Sequence, residues 1–200
     1  MSTPVTARGA QTRARIVAAA REVFEELGFL DTRVAHIARR ARVAYGSFYT
    51  YFPSKEAVFL EVADGLFQEM TRHDLLPDPG PRPAARVRRA NRAYYEAYRR
   101  NARLMAIVEQ VATFHTEFKE MRRKHRAEYV GRSARAIERW QRVGLVHADL
   151  DPDMTARALA AMIDHSLYLW LVQGEEETPD TRRLLDTLDT LTLHALGLDP

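Results

Sequence analysis

Residues 32–56 read Thr32-Arg-Val-Ala-His-Ile-Ala-Arg-Arg-Ala-Arg-Val-Ala-Tyr-Gly-Ser-Phe-Tyr-Thr-Tyr-Phe-Pro-Ser-Lys-Glu56. Val34, Ile37, Ala38 and Ala41 fall at i, i+3, i+4 and i+7, the apolar stripe of a short helix. Val43, Phe48 and Phe52 supply an apolar face for a second helix over about Tyr45–Tyr51. Tyr45, Ser47, Tyr49, Thr50 and Tyr51 leave hydroxyl groups on or near its surface. Pro53 stops that helix, because a residue preceding proline avoids the α region. Ser54 caps a further helix with Lys55 in its first turn. Two short helices across a tight turn form a helix-turn-helix pattern over residues 33–52.

The flanking chain is what such a unit needs. Before it, Ile16, Ala19, Ala20, Val23, Phe24 and Leu27 form the apolar face of a helix expected to start at Thr12 and to stop at Gly28. Residues 1–10, with Arg8, read as a disordered arm, and Phe29 and Leu30 as anchors of the next loop. After it, Val58, Phe59, Val62, Leu66, Phe67 and Met70 stripe a helix from Lys55 to about His73. Leu76 to Pro83 holds four prolines and a glycine and cannot continue a helix. Helices are then expected at Pro83–Arg100, Ala102–Val111, Thr116–Val143, Pro152–Val172 and Asp180–Leu196. Leu167–Val172 is apolar on every side, which calls for burial on more than one face. Gly174 and Glu175–Glu177 read as a loop, with Pro179 opening the last helix. No strand-like alternation of useful length interrupts this pattern. The fold class is all-α, about nine helices: an N-terminal three-helix helix-turn-helix domain (residues 10–70) and a larger helical ligand-binding and dimerisation domain (residues 72–200).

The 200 residues contain no cysteine, so disulfides, thiolate metal sites and a cysteine nucleophile are excluded. There is no signal-like apolar run at the N-terminus and no stretch approaching a membrane span, so a cytoplasmic protein without membrane contact is expected. Charge is unevenly spread. Residues 1–55 carry 9 Lys/Arg against 4 Asp/Glu, residues 82–142 carry 17 against 6, and residues 149–200 carry 3 against 11. The middle is thus more basic than the helix-turn-helix end, and solvated arginine-rich helix faces account for it without a second nucleic-acid contact. The seven histidines (His36, His73, His115, His125, His147, His165 and His194) show no metal-ligand spacing, and no metal or cofactor is expected. Asp164-His165-Ser166 are adjacent on a helix and point about 100° apart, so they cannot relay protons. No phosphate loop or nucleophile elbow is present, and an enzyme is not expected.

Thr12-Arg13, Ile16, Ala20, Phe24, Gly28-Phe29, Ile37-Ala38, Ala41, Val43, Gly46-Ser-Phe-Tyr49 and Tyr51-Phe-Pro-Ser-Lys55 together resemble the TetR family of one-component transcriptional regulators. The resemblance covers residues 10–70. It implies a homodimer whose third helices enter successive major grooves of a near-palindromic double-stranded DNA operator. It also implies a C-terminal domain that binds a small-molecule effector, with dimerisation through the two C-terminal helices. Two positions depart from the family pattern. Arg42 stands where a turn glycine is usual, and Ala44 where a Ser/Thr cap is usual. A non-glycine residue held at positive φ costs about 1–2 kcal/mol, and a missing cap about 1 kcal/mol.

The expected DNA-contacting residues are Thr12, Arg13, Arg33, Arg42, Tyr45, Gly46, Ser47, Tyr49, Thr50, Tyr51 and Lys55. The reading helix has no lysine or arginine. Its hydroxyls read bases more loosely than a bidentate arginine does, so DNA shape contributes to specificity. Tyr49, Tyr51 and Lys55 match the family's phosphate contacts, although the tyrosine rings also suit a small core. One or two of Arg33, Arg39, Arg40 and Arg42 are expected to touch phosphates. The effector-site candidates are Tyr94, Tyr98, Met105, Glu109, Phe114, Phe118, Met121, Met162, His165 and Tyr168, each also explicable as core. They suit an apolar or amphipathic effector. The competing reading is an all-α carrier or enzyme that does not bind DNA.

Overall fold

The computed structural model describes residues 7–71, 82–174 and 180–199, and these are helical with no strand among them. The helices are α1 (Ala7–Asp31), α2 (Val34–Arg40), α3 (Tyr45–Phe48), α4 (Lys55–Thr71), α5 (Pro83–Ala112), α6 (Thr116–Arg142), α7 (Pro152–Tyr168) and α8 (Thr181–Leu196). The proline-rich segment, the acidic residues 175–177 and Pro179 lie outside the described residues. The chain forms two compact units. One is the chain up to Phe67 together with Arg103–Lys119; the other is Gln68–Ala102 together with Glu120 onward. The ends of α5 and α6 nearest their connection therefore belong with the helix-turn-helix, although the sequence assigns them to the C-terminal domain. Residue 72, the expected boundary, is outside the described residues.

In the first unit α1 starts at Ala7, well before the expected cap. Thr12 is interior to α1 and its hydroxyl donates to the Arg8 carbonyl at 3.0 Å. The small residues ahead of it extend the helix, and Arg8 lies within that helix. Gly28 breaks the helix as expected, with φ 77° and ψ 173°. Phe29 is buried behind it, but Leu30 faces outward at 64% exposure and anchors nothing within the protomer. Thr32 is buried and donates to the Gly28 carbonyl at 2.6 Å, so Arg33 occupies the cap position of α2 that the sequence assigns to Thr32.

The core of this unit is aromatic. Phe59 of α4 meets Phe24 edge-on at 4.8 Å, Phe29 at 4.9 Å and Phe118 of α6 at 4.9 Å. Phe24, Phe59 and Phe118 are fully buried, which stabilises the packing by roughly 1.5–3 kcal/mol per side chain.

The α2–α3 turn has a strained centre. The Val43 amide donates to the Ala38 carbonyl at 3.0 Å and the Arg42 amide to the Arg39 carbonyl at 3.2 Å, closing a Schellman motif. Its left-handed position is Arg42, with φ 53°, and it is the one non-glycine residue at positive φ among the described residues. The same motif ends α6 and α8, where glycine holds the position: Gly144 at φ 71° and Gly197 at φ 72°. Ala44 precedes α3 without a side-chain cap. The α3 helix is a single turn, shorter than the expected Tyr45–Tyr51. Turn bonds from Thr50, Tyr51 and Phe52 carry the chain on to Pro53.

In the second unit α5 is one continuous helix of 30 residues, not two. Asn101 reads as a break but is buried. Its amide donates to the Ala97 carbonyl at 2.7 Å and to Glu69 at 3.3 Å, so it is satisfied without leaving the helix. Asp151 and Asp180 cap α7 and α8 by accepting from the Met154 and Arg182 amides. The all-apolar end of α7 changes character: Leu169–Gln173 form a π-helical turn that closes on Gly174, with φ 62°. Leu167 is buried, and Tyr168–Val172 are each half-buried. Around Val130, Ile137, Ala156 and Leu193 the helices α5 to α8 share one apolar core.

Because Arg42 sits at positive φ, Arg42→Gly relieves about 1 kcal/mol or more of backbone strain. The melting temperature by calorimetry is expected to rise roughly 2–4 °C for each kcal/mol in a chain of this size. An unchanged or lower melting point contradicts the strain assigned to this turn.

Candidate nucleic-acid interface and cavity

The surface of α3 is open. Tyr45, Gly46, Ser47, Tyr49 and Thr50 are all exposed, while Phe48 is fully buried and fastens the turn to the core. The Tyr45 and Tyr49 hydroxyls lie 3.0 Å apart, and their rings meet edge-to-face at 5.5 Å. That hydrogen bond raises the pKa of the Tyr49 hydroxyl, with burial a smaller cause. The Tyr49 hydroxyl is thereby held in its protonated form and retains donor capacity toward bases or phosphates. A methyl group placed on Gly46 meets no atom within 4 Å, so nothing within the protein requires glycine there. Tyr51 is half-buried beside this surface.

The basic residues divide into tied and open groups. Arg40 holds α2 against α1, donating to Glu26 at 2.8 and 2.6 Å and to Glu22 at 2.9 Å. Its hydrogen bond draws the Glu26 carboxyl below its ordinary pKa. Arg13 pairs with Glu61 and lies over the Phe52 ring at 4.7 Å. Lys55 donates to the Phe29 carbonyl at 2.8 Å and the Leu30 carbonyl at 3.4 Å, with its ammonium 4.5 Å from the Phe29 ring centre. It thereby satisfies carbonyls at the end of α1. Arg13 and Lys55, expected on sequence to contact DNA, thus brace the helix-turn-helix. Arg33, Arg39 and Arg42 are exposed, and among the described residues Arg39 and Arg42 form no ion pair.

In the second unit α5 to α8 enclose a cavity of about 110 Å³. Its wall is mostly apolar, with Ala136, Ile137, Leu159 and Ile163 among the lining side chains, but it includes Arg86, Asn91, Tyr129, Arg132 and Thr192. None of the ten sequence-derived effector residues is among its described lining. Phe118 is instead core of the helix-turn-helix unit, and Met105, Glu109 and the exposed Phe114 belong to that same unit. Tyr94 is next to the cavity wall, stacked on Tyr129 at 6.1 Å, and its hydroxyl donates to Asp164 at 2.7 Å. Burial, then the Asp164 carboxylate, hold the Tyr94 hydroxyl well above its ordinary pKa. Tyr98 is buried against Tyr94; Met121 and Met162 are half-buried; His165 is exposed and stacks on Tyr168. The sequence signal for the cavity is a charged residue within an apolar stripe. Tyr129, Arg132, Ala136 and Ile137 share one face of α6 at helical spacing.

Among the described residues no helix is long and apolar enough to cross a membrane, and no group of three or more His, Cys, Asp or Glu could hold a metal ion.

An all-helical fold with an exposed helix-turn-helix and a separate helical domain enclosing a cavity defines a ligand-responsive DNA-binding regulator. Family models agree across most of the chain: "Bacterial regulatory proteins, tetR family" matches residues 16–62, and "Tetracyclin repressor-like, C-terminal domain" matches residues 80–181. The chain belongs to the TetR family and is a DNA-binding transcriptional regulator. It is similar to the HTH-type regulator YdgC of Bacillus subtilis, 28% identical over 84% of this chain and 85% of that protein. It is also similar to EthR of Mycobacterium tuberculosis, 25% identical over 86% and 81%. The structure of Salmonella enterica GusR shares the fold, with a TM-score of 0.77 over 98% of this chain and 100% of that one, at 23% identity.

Asp189 of α8 accepts from the Asn91 amide at 2.8 Å. Burial raises its pKa, with the Asn91 hydrogen bond opposing. A carboxyl whose folded pKa is raised favours folding when neutral, and that contribution is lost as pH rises through the folded pKa. Asp189→Asn keeps an acceptor for Asn91 and removes the buried charge. The variant is expected to melt higher than the parent at neutral pH, with the difference vanishing below the ordinary carboxylate range. A lower melting point at neutral pH contradicts the burial cost assigned to Asp189.

Proposed function

We propose that this protein is a homodimeric repressor, released from a near-palindromic operator by a small effector bound in its C-terminal domain. The observation that carries this reading is the open α3 surface, where Tyr45, Gly46, Ser47, Tyr49 and Thr50 face solvent around a glycine that internal packing does not require. These residues lie in the major groove. Tyr49 and Tyr51 reach phosphates, with Arg33 and Arg42 as the cationic contacts. Arg13, Lys55 and Thr12 act mainly from behind, fixing the angle at which α3 is presented.

Dimerisation through α7 and α8 is supported by what those helices leave uncovered in the protomer. Met154 and Ala158 of α7 and Leu191 and Ala195 of α8 are exposed, small or apolar, and spaced by four. Coupling between effector and DNA is supported by the division of the chain into units. Residues of both α5 and α6 are assigned to each unit, so the two helices are the natural carriers of such coupling.

Gel-shift or anisotropy titrations against genomic fragments test the reading. Gly46→Ala is expected to leave the melting temperature unchanged or raised, since alanine favours helix, while weakening operator binding by at least about tenfold. Tyr49→Phe is expected to weaken binding several-fold without loss of stability. Log affinity should fall linearly with log salt concentration. Full sequence-selective binding by Gly46→Ala, or none by the parent at moderate salt, refutes the assignment of α3.

A further inference from the structure

The reading above leaves the chemistry of the effector open, and the cavity narrows it. Two of its described lining residues are arginines, Arg86 of α5 and Arg132 of α6, and none is a carboxylate. The Arg86 guanidinium lies over the Trp140 ring, 5.8 Å from its centre, and Trp140 also lines the cavity. A guanidinium is a planar donor fork, the geometry that matches a carboxylate in two hydrogen bonds, and its five donors leave capacity for a ligand beside the interactions that Arg86 and Arg132 each make within the protein. On α8, Thr192 is 4% exposed, and its hydroxyl has no hydrogen-bond partner in the structure. It too lines the cavity. A buried hydroxyl left unsatisfied costs about as much as a lost hydrogen bond, so such a group marks a place where a partner is missing. Ile137, Leu159 and Ile163 offer only carbon, so the rest of the guest must be apolar.

Size sets a further limit. An apolar cavity of about 150 Å³ is known to take benzene. The 110 Å³ here is smaller and partly open to solvent, so it covers a small apolar body while the polar end of the guest extends toward the opening.

We propose that this cavity is an anion-selective effector site for a small monocarboxylate with a compact ring or branched apolar body. Arg86 and Arg132 hold the carboxylate, Thr192 hydrogen-bonds to it, and Ile137, Leu159 and Ile163 enclose the apolar end. The proposal rests on the effector-responsive reading, but it concerns the cavity's chemistry rather than its effect on DNA.

The test is calorimetric titration of the full-length protein with benzoate and isovalerate, beside their uncharged isosteres benzamide and isovaleramide. The acids are expected to bind and to raise the melting temperature as their concentration exceeds Kd. The amides are expected to bind roughly 10- to 100-fold more weakly, the value of a charge-assisted hydrogen bond. Arg132→Gln and Arg86→Gln should bring the acids to the level of the amides. Thr192→Val, which removes an unsatisfied hydroxyl, should melt no lower than the parent and still lose several-fold in acid affinity. It serves as the readout if an arginine variant does not fold. Equal binding of acids and amides, no binding of either acid, or tighter binding of inorganic phosphate than of benzoate each overturns the proposal. Adding each compound to the preformed DNA complex separates the two readings. An acid that binds without releasing DNA leaves the site standing and removes its effector role. An amide that releases DNA does the reverse.

Discussion

The contact between Phe59 and Phe118 is the one on which the organisation of this chain depends. Phe59 belongs to α4, directly behind the helix-turn-helix, and Phe118 to the first turn of α6. Together with Phe24 and Phe29 they make a buried aromatic core in which Phe24 and Phe29 stack at 5.8 Å and the other pairs meet edge-on or tilted, arrangements the ring quadrupoles favour. A three-helix reading head of some sixty residues has little core of its own. By drawing in Phe118 the head acquires a fourth wall, so its stability rests on a side chain more than forty residues beyond the helix-turn-helix.

The electrostatics of the head follow from that architecture. The exposed α3 helix carries no cation, and three of the nearby basic residues have partners within the protein. Arg40 fastens α2 to α1, Arg13 is held by Glu61 and Phe52, and Lys55 closes the end of α1. Cations used in this way fix geometry rather than supply attraction. The long-range pull toward DNA falls to exposed residues such as Arg33, Arg39 and Arg42, and to net charge. Arg42 is notable among them because its backbone is held at φ 53° where glycine serves elsewhere in this chain. A side chain kept at such a position in spite of strain points to a function for the guanidinium.

In the second unit, part-buried polar pairs link the helices. Tyr94 with Asp164 ties α5 to α7, Asn91 with Asp189 ties α5 to α8, and Tyr95 with Thr181 ties α5 to the start of α8. Each would be costly if broken singly, so the helices pack in one arrangement. The cavity is what remains between them. Asn91 takes part in one of these pairs and also lines the cavity, as does Tyr129, which stacks on Tyr94.

Much of this was legible in the sequence. Apolar spacing located nearly every helix, the proline after the third one, and the faces of α1 and α4 that are buried. The resemblance over residues 10–70 drew attention to Arg42 and Ala44, whose backbone the structure describes as the sequence implied. Local rules suffice there because caps, turns and periodicity act over a few residues. They failed where a side chain's partner lies far away in sequence. Asn101 looked like a break but is satisfied by Glu69, 32 residues before it. Phe118 looked like a pocket residue but completes the core of the other unit. Lys55 and Arg13 also have internal partners, the Phe29 carbonyl and Glu61, that their sequence neighbourhood does not announce. The cavity was invisible for the same reason: Arg86, Arg132 and Thr192 come from three helices, and only packing of those helices brings them to one wall. Sequence determined most of the elements, because caps, turns and periodicity are local; tertiary structure alone decided which polar groups are brought together across helices and which, like the Thr192 hydroxyl, find no protein partner.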